Sequence, residues 1–224
     1  MMAADTRARV HIEANVVGTL TGRRRPLMQV LLKRTIDVSG SALLLVALAP
    51  LLVLIAVLIK VSSRGPVLYR WPVVGKGGRP LKAFKFRSMV VDADARKPEL
   101  LNQNESTGPV FKMRGDPRVT KVGRILRKYG LDELPQLWTV LVGGMSLVGP
   151  RPVLTSEWVH FEEWQRRKLS VKPGIISLWH VRGQPRVFEE WVKLDLEYID
   201  RWSLWLDLAL LIRAPMYILS ARNY

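Results

Sequence analysis

From Val38 to Ile59 the chain reads VSGSALLLVALAPLLVLIAVLI, 22 residues without a charge. An apolar run of that length matches a bilayer core, which takes about 20 residues of helix to cross. Length alone favours one transmembrane helix. The run is too long for a cleavable signal peptide, and no small-residue cleavage site follows it.

Two features oppose a straight span. Pro50 sits near the middle, where its missing N–H and its ring break the ladder of helical hydrogen bonds. Both flanks are basic: Arg23, Arg24, Arg25, Lys33 and Arg34 before the run, Lys60, Arg64, Arg70 and Lys76 among those after it. Positive charge retains a flank in the cytoplasm, and here both flanks carry it. A kinked span and a hairpin that enters, breaks at Pro50 and returns to the same face both remain open on the residues alone.

The charge balance narrows the partners. Lys and Arg number 35 against 19 Asp and Glu, a formal +16, which calls for an anionic partner such as nucleic acid, anionic lipid or a phosphorylated substrate. Eight tryptophans tilt the choice towards a membrane surface, where indoles favour the headgroup layer. No RNP pattern, zinc finger or helix-turn-helix signature supports nucleic acid. The chain has no cysteine, which excludes disulfides, thiolate metal sites and a cysteine nucleophile. His11, His160 and His180 lie far apart without metal-ligand spacing, and no G-x-S-x-G elbow is present. At 224 residues the chain suits one domain, or a modest domain with an added segment.

Past the apolar run, Val67–Trp71 and Leu81–Arg87 read as short strands joined by the turn Gly75-Lys76-Gly77-Gly78. Period-two alternation in FKFRSM puts Lys85 and Arg87 on one face and Phe84 and Phe86 on the other. Asp92 to Leu101 reads as a short helix, 102–117 as a long polar loop of the kind that is usually functional or disordered. Val119 to Lys128 follows as a basic helix. The glycines and prolines of GGMSLVGPRP (143–152) argue against regular structure; 155–169 looks helical, and KPGIISLWHV (172–181) opens with a turn and continues as a strand. Helices are expected over 188–201 and 204–220, the last with an apolar face suited to a membrane interface.

GLDELPQLW (130–138) holds the sharpest question. Leu134, Leu137, Trp138 and Leu141 share one helical face, and Pro135 belongs in a first turn, which predicts a helix starting at about Asp132. Asp132 is then a natural N-cap and Glu133 a favourable first-turn charge. The surroundings favour chemistry instead. Arg118, Lys121, Arg124, Arg127 and Lys128 lie just upstream and Arg151 just downstream. Once cations neutralise phosphate oxygens, a carboxylate beside a diphosphate can act as a nucleophile. A second can hold Mg²⁺ or take a proton.

KRTID, GPVLYR, FKFRSM, DPRVTKVGRILRKYGLDELPQLWTVL, MSLVGPRP, VKPGI and WSLWLDL, in that order, resemble the bacterial sugar transferases. These are the monotopic phosphoglycosyl transferases, or polyprenyl-phosphate glycosylphosphotransferases. The resemblance covers about residues 32 to 224. It implies an enzyme that moves a sugar-1-phosphate from a UDP-sugar to undecaprenyl phosphate, releases UMP, requires Mg²⁺ and starts a membrane glycan such as an exopolysaccharide or O-antigen. The family's dyad falls on Asp132, the nucleophile of an aspartyl-phosphosugar intermediate, and Glu133, the metal-binding or proton-transferring partner; both would hold the metal. Its phosphate-binding cations fall on Arg127 and Arg151, with Lys85, Arg87 and Arg118 beside them.

The implied fold is α/β and mostly helical with a small β-hairpin. Residues 1–32 form a basic N-terminal tail, 33–60 a re-entrant membrane helix, and 61–224 a catalytic domain with a C-terminal interfacial helix. The implied location is the cytosolic face of the bacterial inner membrane, in contact with membrane lipid and not with nucleic acid, with room for a homodimer. The chain departs from the family at Gly144, where Asp is common, at Gly130, where Ser is common, and at RWPVVG and Ile176-Ser177. A catalytically silent membrane scaffold of the same fold is the alternative function.

Overall fold

A computed structural model describes residues 26–219; most of the basic tail expected over 1–32 lies outside them. Helix α1 (Leu27–Ala47) and helix α2 (Ala49–Ser62) meet at Leu48 with a bend of 62°. The break precedes Pro50, which stands in the first turn of α2. There its missing N–H is no loss, while continuing α1 straight through it would set its ring against the carbonyl of Val46. Among the described residues no single helix is long and apolar enough to cross a membrane.

Polar residues on one face of α1 tie it to the rest of the chain. Lys33 Nζ donates to Asp207 Oδ2 at 2.6 Å and to the Val148 carbonyl at 2.9 Å. The Arg34 guanidinium donates to the carbonyls of Val140 and Leu141, each at 2.7 Å. Asp37 Oδ1 accepts from Ser146 Oγ and from the Leu147 N–H, each at 2.9 Å. The KRTID stretch is therefore a docking seam. Helix α2 docks through Ile55 and Ile59 against Phe86 and Leu126.

Strands β1 (Leu68–Val74) and β2 (Pro80–Phe86) form the expected antiparallel hairpin, with Arg70 opposite Phe84. Positive φ at Gly77 and Gly78 makes its turn. β4 (Val153–Leu154) pairs with β1 only at Val73 and Val74, so Pro72 stays where that side of β1 is still an edge. Ordered structure also crosses the stretch expected to be irregular. Within GGMSLVGPRP, β3 (Ser146–Val148) pairs in parallel with β5 (Gly174–Ile176). The glycines there permit close backbone approach: a Cβ on Gly149 would lie 2.7 Å from the Lys172 carbonyl oxygen.

Short helices complete the chain: α3 (Ala93–Arg96), α4 (Lys121–Lys128), α5 (Gln136–Leu141), α6 (Thr155–Trp158), α7 (Glu163–Arg166) and α8 (Leu178–Val181). The single helix expected over 155–169 is thus two helices and a 3-10 turn, and the strand expected over 172–181 ends at Ile176. The long helices α9 (Phe188–Arg201) and α10 (Leu204–Leu219) fall where the sequence predicts them.

The tryptophans divide. Trp158, Trp179 and Trp191 are buried with Phe161 and Phe188 in a core, whereas Trp138 and Trp205 are exposed. A second core, around Val140, Met145, Val148 and Tyr198, joins α5, the sheets and α9. Since α1 covers α5, the buried face of α5 carries Gln136, Leu137, Thr139 and Val140, and Trp138 points outward. This differs from the apolar face expected through Leu134, Leu137, Trp138 and Leu141.

Candidate active site

Helix α4 is opened by Thr120, whose hydroxyl accepts from the Gly123 N–H at 2.9 Å. It is closed by Gly130, which takes the left-handed conformation at φ 64°. The next residues form a single 3-10 turn, Leu131–Glu133, before Pro135 leads into α5. Neither the turn nor α5 has a side-chain cap. The capping role expected for Asp132 is absent, because the helix starts four residues later than the sequence pattern predicts.

Asp132 is buried at 8% exposure, and among the described residues its carboxyl has no side-chain hydrogen bond or ion pair. Burial raises its pKa and the Glu133 charge adds to the rise, against the pull of Lys85 and Arg127. Glu133 has a partner. Lys85, placed by β2, donates to Glu133 Oε1 at 2.6 Å, and the same ammonium lies 3.6 Å from the centre of the Trp71 ring. Burial opposes ionisation of Glu133, but Lys85 and Arg151 override it and hold its carboxyl at about 2. Adjacent carboxyls are thereby driven apart, the pattern that separates acid–base roles in many sites.

Arg151 is built in from three sides. Its backbone N–H donates to Asp195 Oδ1 at 2.9 Å, and Asp195 is paired with buried Lys168. The guanidinium lies 4.3 Å from the centre of the Trp179 ring, and its Nη1 is 3.5 Å from His180 Nε2. His180 Nδ1 accepts from the Ser177 N–H at 3.1 Å. Burial and the Arg151 charge push its pKa down to about 3, so the imidazole is neutral at physiological pH. Isolated histidine spacing gave no sign of this; the Ser177-to-His180 interval at a helix start was the only local signal.

Lys85, Arg127 and Arg151 act on the dyad, and Lys112, missed by sequence reasoning, lies beside Arg127 and Arg151. Lys112 Nζ lies 4.2 Å and 4.7 Å from the Trp179 and Trp191 ring centres, the indoles that Arg151 also faces. Two residues expected in the phosphate clamp have other partners. Arg87 donates to the carbonyls of Ser63 and Arg64 at 2.9 and 2.6 Å and closes the end of α2. Arg118 forms a two-pronged pair with Asp116 at 2.9 and 2.7 Å, and a third hydrogen bond runs to the Ala93 carbonyl. Both are buried, and their terminal guanidinium nitrogens are engaged in these bonds.

The residues fit Mg²⁺ in one way. No group of three or more His, Cys, Asp or Glu among the described residues could hold a metal unaided. Mg²⁺, however, is commonly held by one or two carboxylates together with substrate phosphates. Asp132, with no side-chain partner among the described residues, and Glu133, ionised beside it and engaged by Lys85 through Oε1, would offer such a pair.

The family model described as bacterial sugar transferase matches residues 28–221. The chain belongs to this family. Among curated relatives of this bacterial sugar transferase, the exopolysaccharide production protein ExoY of Rhizobium meliloti is 37% identical over 210 residues, covering 91% of this chain and 92% of the relative. The galactosyl transferase CpsE of Streptococcus agalactiae is 41% identical over 182 residues, 80% of this chain and 40% of its own length. A protein named UDP-glucose:undecaprenyl-phosphate glucose-1-phosphate transferase, from Caulobacter vibrioides, is 39% identical over 203 residues, 85% of this chain and 71% of its own. The chain thus spans about two fifths of the longer relatives such as CpsE. At the two glycine departures from the family pattern, Gly130 carries the left-handed turn, and Gly144 packs under Leu81 and Thr139.

Proposed function

We propose that this protein transfers a sugar-1-phosphate from a UDP-sugar to undecaprenyl phosphate, with Asp132 as the nucleophile. The observation that carries the reading is the Asp132 carboxyl, buried without a side-chain hydrogen bond or ion pair among the described residues, with Lys85 and Arg127 acting on it and Arg151 on its neighbour Glu133. A carboxylate with a structural role is ordinarily held by a helix cap or an ion pair, and Asp132 makes neither among the described residues. Relatives whose names specify galactose and glucose phosphotransfer to undecaprenyl phosphate support the substrates.

In this reading Arg127 and Arg151 bind the diphosphate oxygens. Lys85 holds Glu133 ionised and lowers the pKa of Asp132. A carboxylate oxygen of Asp132 attacks the sugar-bearing phosphorus; the bond from that phosphorus to the bridging oxygen breaks, and UMP leaves with the bonding electrons. An oxygen of undecaprenyl phosphate then attacks the same phosphorus, breaks the acyl phosphate bond and restores the carboxylate. Asp132 and Glu133 would be the residues to hold Mg²⁺, and the ion would neutralise charge on the donor phosphates.

The acceptor is a lipid, and the apolar surface suits it. The bent pair exposes Leu43, Val46, Val53, Leu54 and Val61, and α10 exposes Trp205, Ile212 and Met216. Both ends of the bent pair are fastened to one body, Lys33 and Arg34 to α10 and α5, Ser63 and Arg64 to Arg87. That arrangement favours a re-entrant hairpin, and the basic flanks on both sides of the apolar run favour the cytosolic face for the catalytic domain.

The test incubates the chain with labelled UDP-sugar and Mg²⁺ without acceptor, then denatures it. Label is expected on the Asp132 peptide, and Asp132→Asn is expected to abolish both label and UMP release while keeping the wild-type melting temperature. Normal turnover by Asp132→Asn would overturn the assignment of the nucleophile.

A further inference from the structure

The long loop before α4 is ordered by one side chain. Asn104 Oδ1 accepts from the N–H groups of Ser106 and Lys112 at 3.1 and 2.8 Å, and its Nδ2 donates to the Val110 carbonyl at 2.9 Å. The Glu105 N–H adds a bond to the Lys112 carbonyl at 2.7 Å. The loop is also fastened to the segment before α9. Glu105 pairs with Arg186, Ser106 Oγ donates to the Arg186 carbonyl at 2.8 Å, and the Phe188 N–H donates to Thr107 Oγ1 at 2.8 Å.

Between these two segments lies a cavity of about 280 Å³, whose walls include Phe111, Lys112, Arg114, Arg127, Gln184 and Arg186. That is close to the lower end of small-ligand pockets, ~300 Å³, and suits part of a nucleotide sugar rather than all of it. Its walls offer an aromatic ring, amide and carboxylate groups and several cations, the mixture that binds a base and its phosphates. Arg127 belongs both to this wall and to the charges acting on Asp132, so the cavity adjoins the dyad's surroundings through that residue.

We propose that Lys112 is a donor-phosphate-binding residue of this site and that the adjoining cavity seats the nucleoside. Among the described residues Lys112 Nζ has no hydrogen-bond or carboxylate partner; it lies on two indole faces beside Arg151. The other charges near it are Arg127 and Arg186, while the cavity's carboxylates are engaged elsewhere, Glu105 by Arg186 and Asp116 by Arg118. Burial, then Arg151, Arg186 and Arg127, push its pKa down to about 7. A diphosphate reverses the local charge, so binding above pH 7 draws a proton onto the amine. The proposal rests on the UDP-sugar reading above and adds to it a residue and a place.

The experiment measures UDP binding to the full chain in detergent with Mg²⁺ by calorimetry at pH 8, in two buffers of different ionisation enthalpy. Wild-type protein is expected to take up a proton on binding. Lys112→Arg, charged at every working pH, is expected to keep affinity without proton uptake. Lys112→Met is expected to weaken UDP by about tenfold or more and to raise the donor KM more than it lowers kcat. Phe111→Ala, checked by its melt, is expected to weaken UDP but not inorganic pyrophosphate.

Unchanged UDP affinity and KM in Lys112→Met overturn the role of Lys112, and equal losses for UDP and pyrophosphate in Phe111→Ala overturn the nucleoside seat. Either result with wild-type turnover intact leaves the transferase reading standing. Lys112-dependent UDP binding without any transfer removes the transferase reading instead.

Discussion

Replacing Lys85 by methionine removes the ammonium 2.6 Å from Glu133 Oε1 while keeping an unbranched chain beside Trp71. Burial raises both carboxyls of the dyad, and Lys85 is the largest influence opposing it in each. Glu133 falls from 4.5 to about 2, which at 1.36 kcal/mol per pKa unit is ~3 kcal/mol in favour of its charged form. A depressed carboxyl stabilises the fold above its unfolded pKa, 4.5, and that contribution is lost as pH falls towards 2.

At pH 7 the variant is therefore expected to lose up to about 3 kcal/mol, less whatever Arg151 retains. For a chain of this size that is a Tm lower by roughly 6–12 °C, with the gap from wild type closing as the melt is repeated at lower pH. Activity should respond separately. Asp132, already raised by burial, loses its main opposing charge, so the acid limb of the pH profile for UMP release should move to higher pH. Melts from pH 2 to 7 test the first effect, and initial rates across pH 5 to 9 test the second. An acid limb that stays in place, with an unchanged melt at pH 7, would refute the electrostatic account of the dyad.

Arg87→Lys is expected to lower stability by about 1–3 kcal/mol, since an ammonium cannot make the forked bonds to the Ser63 and Arg64 carbonyls. Donor KM should hold, and a large KM rise would return Arg87 to the phosphate clamp. Pro50→Leu should relax the 62° bend and expose the N-terminal flank outside the cell. A cysteine placed at Thr35 would then react with an impermeant thiol reagent in the variant and stay protected in the parent; equal protection would mean that the basic flanks alone set the topology.

Much of the frame was legible in the residues. The apolar run and Pro50 predict two helices with a break, because the lost hydrogen bond and ring clash are local to the proline. The hairpin with its glycine turn and the helices over 188–201 and from 204 follow from period and punctuation. Gly130 before Asp132 marks a chain reversal that only glycine adopts cheaply.

Other features depended on tertiary contact. The pairing of β3 with β5 joins segments far apart in sequence, so the glycines that mark a break locally serve as points of close approach. α1 covering α5 decided that Trp138 faces outward. Arg87 and Arg118, placed in the phosphate clamp by the family resemblance, are engaged by carbonyls at the end of α2 and by Asp116. Lys112 joined the site because the 104–112 loop folds onto Trp179 and Trp191. The sequence determined the dyad's place at a turn, since Gly130 and Pro135 act on their nearest neighbours. Which cations surround that dyad was decided by packing, because charge acts through space and only the folded chain sets those distances.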